Sequence, residues 1–205
     1  DSTLLALAER VTTPRTKYVI TPETFTYDIN IDDISKNVSV QKYAGFLKRH
    51  PGTQMILGAL TYRLYNTGLQ PTPSSYRVGE RLWCDSFNTA LLMDSCFNCS
   101  YYFKSRLVPG VEIIPYQNTL KFFGRLIAAF GGSSHSYGTQ ERMTALSLPG
   151  ERSSGVMICY ESLYGNFQGP QSATGPNSCP SSRTTDGGET RRATASISAL
   201  PPSGR

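Results

Sequence analysis

Short apolar runs, each bounded by polar or turn-forming residues, constrain this chain most. Lys17-Tyr-Val-Ile20, Met55-Ile-Leu-Gly-Ala-Leu-Thr-Tyr62 and Gly155-Val-Met-Ile-Cys159 have the length and composition of buried strands. Phe87-Asn-Thr-Ala-Leu-Leu-Met-Asp94 and Ser100-Tyr-Tyr-Phe-Lys104 read as a strand-turn-strand unit around residues 95–99, and a further strand is expected near 144–148. The intervening segments have helical spacing. Leu4, Leu5, Leu7 and Ala8 share one face, and Ile34, Val38, Val40, Phe46 and Leu47 predict a helix over 32–51 that His50-Pro51-Gly52 stops. Residues 120–130 form an apolar helical stretch ended by Gly131-Gly132. Strands alternating with helices predict an α/β domain.

The 205 residues, 39% hydrophobic, suffice for one domain with a sizeable core. The net charge of +5 is spread along the chain with no dense basic run, so no nucleic-acid partner is expected. Five cysteines are an odd number, which leaves at least one thiol free. Cys96-Phe-Asn-Cys99 has the spacing of a redox or zinc motif. No second Cys or His pair accompanies it, since His50 and His135 stand alone, so it reads as a hairpin tip and no metal is expected. No apolar run is long enough to cross a bilayer. The chain begins at Asp1 rather than Met, so it is read as a fragment, in which missing membrane spans prove little. After Phe167 the composition turns to Ser, Thr, Gly, Pro and Arg, which divides the chain into a folded part (1–167) and a low-complexity tail (168–205).

Three residues within the folded part carry candidate chemistry. Cys159 closes a buried strand just before a polar turn, where a nucleophile can be held rigidly and still meet a substrate; a structural buried cysteine is the alternative. Glu23 follows a strand and a proline, either as a buried carboxylate or as a surface turn residue. Lys104 ends an aromatic strand, from which a lysine can also reach out to solvent. Taken singly, none decides the matter.

Together they resemble the carbon–nitrogen hydrolase (nitrilase) superfamily, whose catalytic set is Glu, Lys and Cys in that chain order. The matching positions are Glu23 in Thr21-Pro-Glu-Thr24, Lys104 in Phe103-Lys-Ser-Arg106 and Cys159 in Ile158-Cys-Tyr-Glu161. Within that superfamily the segment Lys104-Ser-Arg-Leu-Val-Pro-Gly-Val-Glu-Ile-Ile-Pro115 is similar to the Lys-x-x-Leu-Val-Pro-x-x-Glu-x-x-Pro pattern of apolipoprotein N-acyltransferases, in the form found in Bacteroidetes-type bacteria. The run 87–94 and Cys159-Tyr-Glu-Ser-Leu-Tyr-Gly165 are similar to that family too. The resemblance covers residues 17–167 and implies an α-β-β-α sandwich, incomplete at its C-terminal end. It assigns Glu112 to support of Lys104 and the oxyanion region, and gives Tyr160 and Glu161 a part in shaping the pocket.

The resemblance also implies a reaction. Cys159 takes an acyl chain from a phospholipid as a thioester, with Glu23 as base and Lys104 steadying the oxyanion. The chain then passes to the N-terminal diacylglyceryl cysteine of an apolipoprotein. No cofactor is implied. The domain would sit on the periplasmic side of the bacterial inner membrane, tethered by spans absent from this chain. A soluble amidase or carbamoylase of the same superfamily is the second reading, and a non-catalytic fragment with a basic tail the third.

The tail departs from the family, which continues into a core strand ending Asn-Asp-Gly-Trp-Trp-Gly. Codons able to encode residues 184–199, read one nucleotide earlier, permit Asn-Asp-Gly-Trp-Trp-Gly-Asp-Thr-Pro-Gly-Tyr. A shift of reading frame near Gln168 is therefore the expectation. It would leave the last strand without its neighbour, the pocket wall unfinished and the chain as written inactive.

Overall fold

The computed structural model describes residues 2–108, 112, 136–149 and 153–163, together with the backbone of strands at 177–178 and 193–197. Helix α1 (Ser2–Val11) is followed by β1 (Tyr18–Ile20), β2 (Thr26–Asn30) and a 3-10 turn, then helix α2 (Val38–Arg49). Four strands come next: β3 (Gln54–Asn66), β4 (Tyr76–Arg77), β5 (Leu82–Met93) and β6 (Cys99–Phe103). The chain then reaches β7 (Ser154–Ile158), which runs into a 3-10 turn over Cys159–Leu163, and ends with β8 (Asn177–Ser178) and β9 (Ala193–Ile197).

Among the described residues the main sheet has seven strands in the order β1-β3-β5-β6-β8, with β2 also on β3 and β4 also on β5. β1 and β2 run parallel to β3, whereas β5 runs antiparallel to both β3 and β6. The long β3–β5 pair carries Met55 opposite Met93 at one end and Asn66 opposite Leu82 at the other.

Strand alternation sorts the side chains to two faces. Met55, Leu57, Ala59, Phe87, Leu91, Met93 and Phe103 join Tyr43, Phe46 and Leu47 of α2 in one core. Ile56, Ala90, Leu92 and Tyr102 point the other way, against Leu146, Leu148, Val156 and Ile158. Among the described residues the layer order is therefore helix, main sheet, second sheet, which is three of the four layers expected of an α-β-β-α sandwich.

Several local expectations need correction. The helix predicted over 32–51 begins at Val38, because Asn37 caps it by accepting from the Ser39 and Val40 amides at 2.9 and 3.1 Å, and residues 34–36 form a 3-10 turn instead. β1 is not fully buried, since it lies at the sheet margin with Ile20 46% exposed. The strand expected near 144–148 is a single bridge between Leu146 and Ser154. β7 is not left without a neighbour either, because β9 pairs with it in parallel, with Ile158 opposite Ile197. The helix expected over 120–130 lies outside the described residues, as does most of 168–205.

Candidate active site

Glu23 sits in the turn between β1 and β2, where Thr24 takes a left-handed φ of 47°. Lys104 is the first residue past β6, and its amide donates to the Asn88 carbonyl of β5 at 2.8 Å. Cys159 is the first residue past β7 and is also left-handed, with φ 48°. Non-glycine residues in that region are strained and concentrate where a fold holds a reactive group. Here two of them flank or form the candidate chemistry.

Lys104 does not reach solvent. It is 1% exposed, and its Nζ donates to Glu23 Oε1 and to Glu112 Oε1, each at 2.9 Å. Burial works against its charge most strongly, but the hydrogen bonds to Glu112 and Glu23 outweigh it and hold the ammonium above the usual lysine range. Glu112 is held in turn, because the Val108 amide donates to its Oε2 at 2.7 Å. With both carboxylates ionised, two negative charges share one positive charge in a buried site.

The Cys159 thiol completes the cluster. Its pKa is raised, first by burial and then by the charge of Glu23 and a hydrogen bond to it; Lys104 and the Tyr160 backbone pull the other way. The thiol therefore keeps its proton until something takes it, and the carboxylate at hand is Glu23. A thiol with a carboxylate at its proton and a buried ammonium beside both is an arrangement suited to chemistry through a thioester.

Glu161, fully buried, ties the Lys104 and Cys159 segments together. Its Oε1 accepts from Tyr102 Oη at 2.5 Å, the Ser105 amide at 2.8 Å, Ser105 Oγ at 2.9 Å and the Arg106 amide at 3.2 Å. Its Oε2 accepts from the Ile158 amide at 2.9 Å. The same carboxylate thus fastens the loop after β6 to the end of β7, and burial with the negative charge of Glu161 drives the Tyr102 phenol strongly upward. Tyr160, next to it, is half-buried.

The structure therefore brings together Glu23, Lys104, Glu112 and Cys159, with Glu161 behind them. Sequence reasoning gave no role to Asn88, whose Nδ2 donates to Glu23 Oε1 at 2.7 Å and to Glu112 Oε1 at 3.1 Å. The signal was there: an amide that is 1% exposed in the middle of an apolar strand needs buried partners. Tyr102 and Ser105 were missed as well, being unremarkable in a run of aromatic and polar residues.

Cys96 and Cys99 do not pair as their spacing allows. Cys96 is an exposed free thiol, and Cys99 is buried at the start of β6 and engaged in a disulfide. His50 is not isolated, since its Nε2 lies 2.6 Å from Glu9 Oε2 and ties α2 to α1; His135 lies outside the described residues. Among the described residues no group of His, Cys, Asp and Glu is placed to hold a metal ion, and no helix is long and apolar enough to cross a membrane.

No protein-family model and no curated protein sequence matches the chain. Among solved structures it is similar to a CN-hydrolase superfamily protein from Xanthomonas campestris with an arsenic adduct in its active site. The identity is 17% and the TM-score 0.47, over 81% of this chain and 49% of that one. It is also similar to a mutant of the amidase from Nesterenkonia sp. AN1 that shows Michael addition of acrylamide at the active-site cysteine. There the identity is 13% and the TM-score 0.39, over 80% of this chain and 51% of that one. The chain thus spans about half the length of each solved structure.

Proposed function

We propose that residues 1–167 are part of a nitrilase-type domain that moves a fatty acyl chain from a phospholipid to the N-terminal diacylglyceryl cysteine of an apolipoprotein. The observation that carries this reading is convergence. Glu23, Lys104, Glu112 and Cys159, far apart in the chain and in the expected order, meet in one hydrogen-bonded cluster around the buried Lys104 ammonium.

Glu23 takes the thiol proton as the Cys159 sulfur attacks the ester carbonyl carbon. The oxyanion forms beside the Lys104 ammonium, which Glu112 holds in place, with Asn88 donating to Glu112 in turn. The C–O bond to the lysophospholipid breaks, and Glu23 returns the proton to the departing oxygen. In the second half the lipoprotein amine attacks the thioester, Glu23 takes the amine proton, and the sulfur leaves as the thiol is restored. The raised thiol pKa fits this order, because a nucleophile that keeps its proton at rest needs the base during attack. The acyl donor places the domain at a membrane surface, and we assign it to the periplasmic side of the inner membrane, tethered by spans outside this chain.

The tail belongs to the same proposal. Residues 168–205 are read as the product of a shifted frame, so the chain as written does not turn over. The test compares this chain with one whose tail is restored to the alternative frame, each incubated with a phospholipid and a diacylglyceryl peptide. The restored chain is expected to carry an acyl group on Cys159 by mass spectrometry and to pass it to the peptide. If it hydrolyses simple amides and leaves phospholipid esters untouched, the amidase reading replaces this one. Measurable transfer by the chain as written would refute its inactivity.

A further inference from the structure

We infer that Gly58 is a positioning residue for Glu23: the missing side chain lets the turn after β1 lie flat on β3, which delivers the carboxylate to Lys104 and Cys159. The inference rests on the reading of Glu23 as the base. Gly58 lies in the middle of β3, opposite Ala90, with its Cα hydrogens on the face that carries the site.

A Cβ added there would lie 2.0 Å from the Pro22 carbonyl oxygen, 2.7 Å from the Pro22 carbonyl carbon and 2.8 Å from Glu23 Cα. All three are backbone atoms, so no side-chain rotation relieves the clash; the turn itself has to lift. Three hydrogen bonds fasten that turn to β3. The Thr21 amide donates to the Ile56 carbonyl at 3.0 Å, the Gly58 amide to Thr21 Oγ1 at 2.9 Å, and the Phe25 amide to the Gly58 carbonyl at 2.8 Å. Two of the three use Gly58, and Thr21 is 2% exposed, so its hydroxyl works inside the protein rather than at the surface. β1 and β2 both run parallel to β3, so the turn, with Thr24 left-handed, interrupts two strands of the same direction, and Glu23 lies within that interruption. The hydrogen bonds of Glu23 to Lys104 and Asn88, at 2.9 and 2.7 Å, leave little slack; moving the backbone by about 1 Å takes both outside hydrogen-bonding range.

Not every glycine in this chain has such a role. Around Gly45, in α2, a Cβ would meet nothing within 4 Å, so Gly45→Ala is the matched control.

The experiment reads the alkylation rate of Cys159 by iodoacetamide against pH, resolved from Cys84 and Cys96 by peptide mass spectrometry, in protein that unfolds cooperatively. The groups facing the thiol are Glu23, which holds its proton on, and Lys104, which favours its loss. Glu23→Gln is expected to move the midpoint of the profile to lower pH. Gly58→Ala is expected to move it in the same direction, and the Gly58→Ala, Glu23→Gln double variant no further than Glu23→Gln alone. Gly45→Ala should leave the profile in place.

An unchanged profile in folded Gly58→Ala, or an equal additional shift in the Glu23→Gln background, overturns the inference. Where Gly58→Ala does not fold, Thr21→Val decides. It removes the hydroxyl that accepts the Gly58 amide without adding an atom against the backbone, and an unchanged profile there also overturns the inference. If Glu23→Gln itself moves nothing, it is the assignment of Glu23 as the base that fails, and this outcome is distinct from the others.

Discussion

The two faces of β3, β5 and β6 are built from alternate residues of the same strands, yet they solve different problems. On the helix-covered face, Leu57, Leu91, Met93 and Phe103 fill the space beneath Phe46 and Leu47 with apolar volume. On the other face the apolar packing of Ile56, Ala90 and Leu92 gives way, within one or two positions, to Gly58, Asn88 and Lys104. The first face can exchange one hydrophobic shape for another of similar size at small cost. The second cannot, because each polar group there is buried and depends on named partners. One side of the sheet is mainly apolar and the other combines apolar packing with chemistry, although period-two alternation alone distinguishes them.

Substitutions can break this division. Lys104→Met should have the largest effect, a loss of about 3–5 kcal/mol in urea unfolding, because it strands Glu23 and Glu112 beside each other without their cation. In the parent protein the raised Lys104 pKa means that its contribution is intact at neutral pH and is lost only as pH climbs through the alkaline value of the folded state.

Leu57→Ala, on the apolar face, should cost about 2–4 kcal/mol by transfer and cavity terms while leaving the pH profile of Cys159 alkylation in place. A moved profile would mean that the faces are coupled more tightly than the packing implies. The smallest effect is kinetic. At neutral pH Cys159 should alkylate more slowly than the exposed Cys96, with the gap closing as pH rises. Equal rates at neutral pH would show that Glu23 and burial do not hold the thiol in its protonated form.

The positions of Glu23, Lys104 and Cys159 at strand ends were legible in the sequence, whereas their grouping into one set came from the resemblance. Cys159 and Lys104 each follow an apolar run, and Glu23 follows one through a proline; the structure sets all three just past β7, β6 and β1. The start of β3 and the end of α2 also fell close to where the pattern placed them, whereas α2 starts at Val38, six residues later than the expected 32. What stayed hidden depends on contacts across the sheet. Asn88 is an ordinary polar residue until β5 sets it between two carboxylates, and Gly58 is a weak position in a strand until the turn after β1 is laid over it. β2 went unread because Thr26–Asn30 has too little apolar content to announce a strand; it forms because β3 offers a free edge.

The Glu161 carboxylate has a consequence for how the site comes apart. Its acceptors hold amides from two segments, those of Ser105 and Arg106 after β6 and that of Ile158 at the end of β7. Opening either segment leaves a buried carboxylate oxygen short of its donors, a cost that couples the two and favours opening in one event over independent fraying. In hydrogen exchange these three amides would share one opening free energy, and Lys104 and Cys159 would be lost or regained together. The working parts thus behave as one switch-like unit, whose integrity a single amide signal can report.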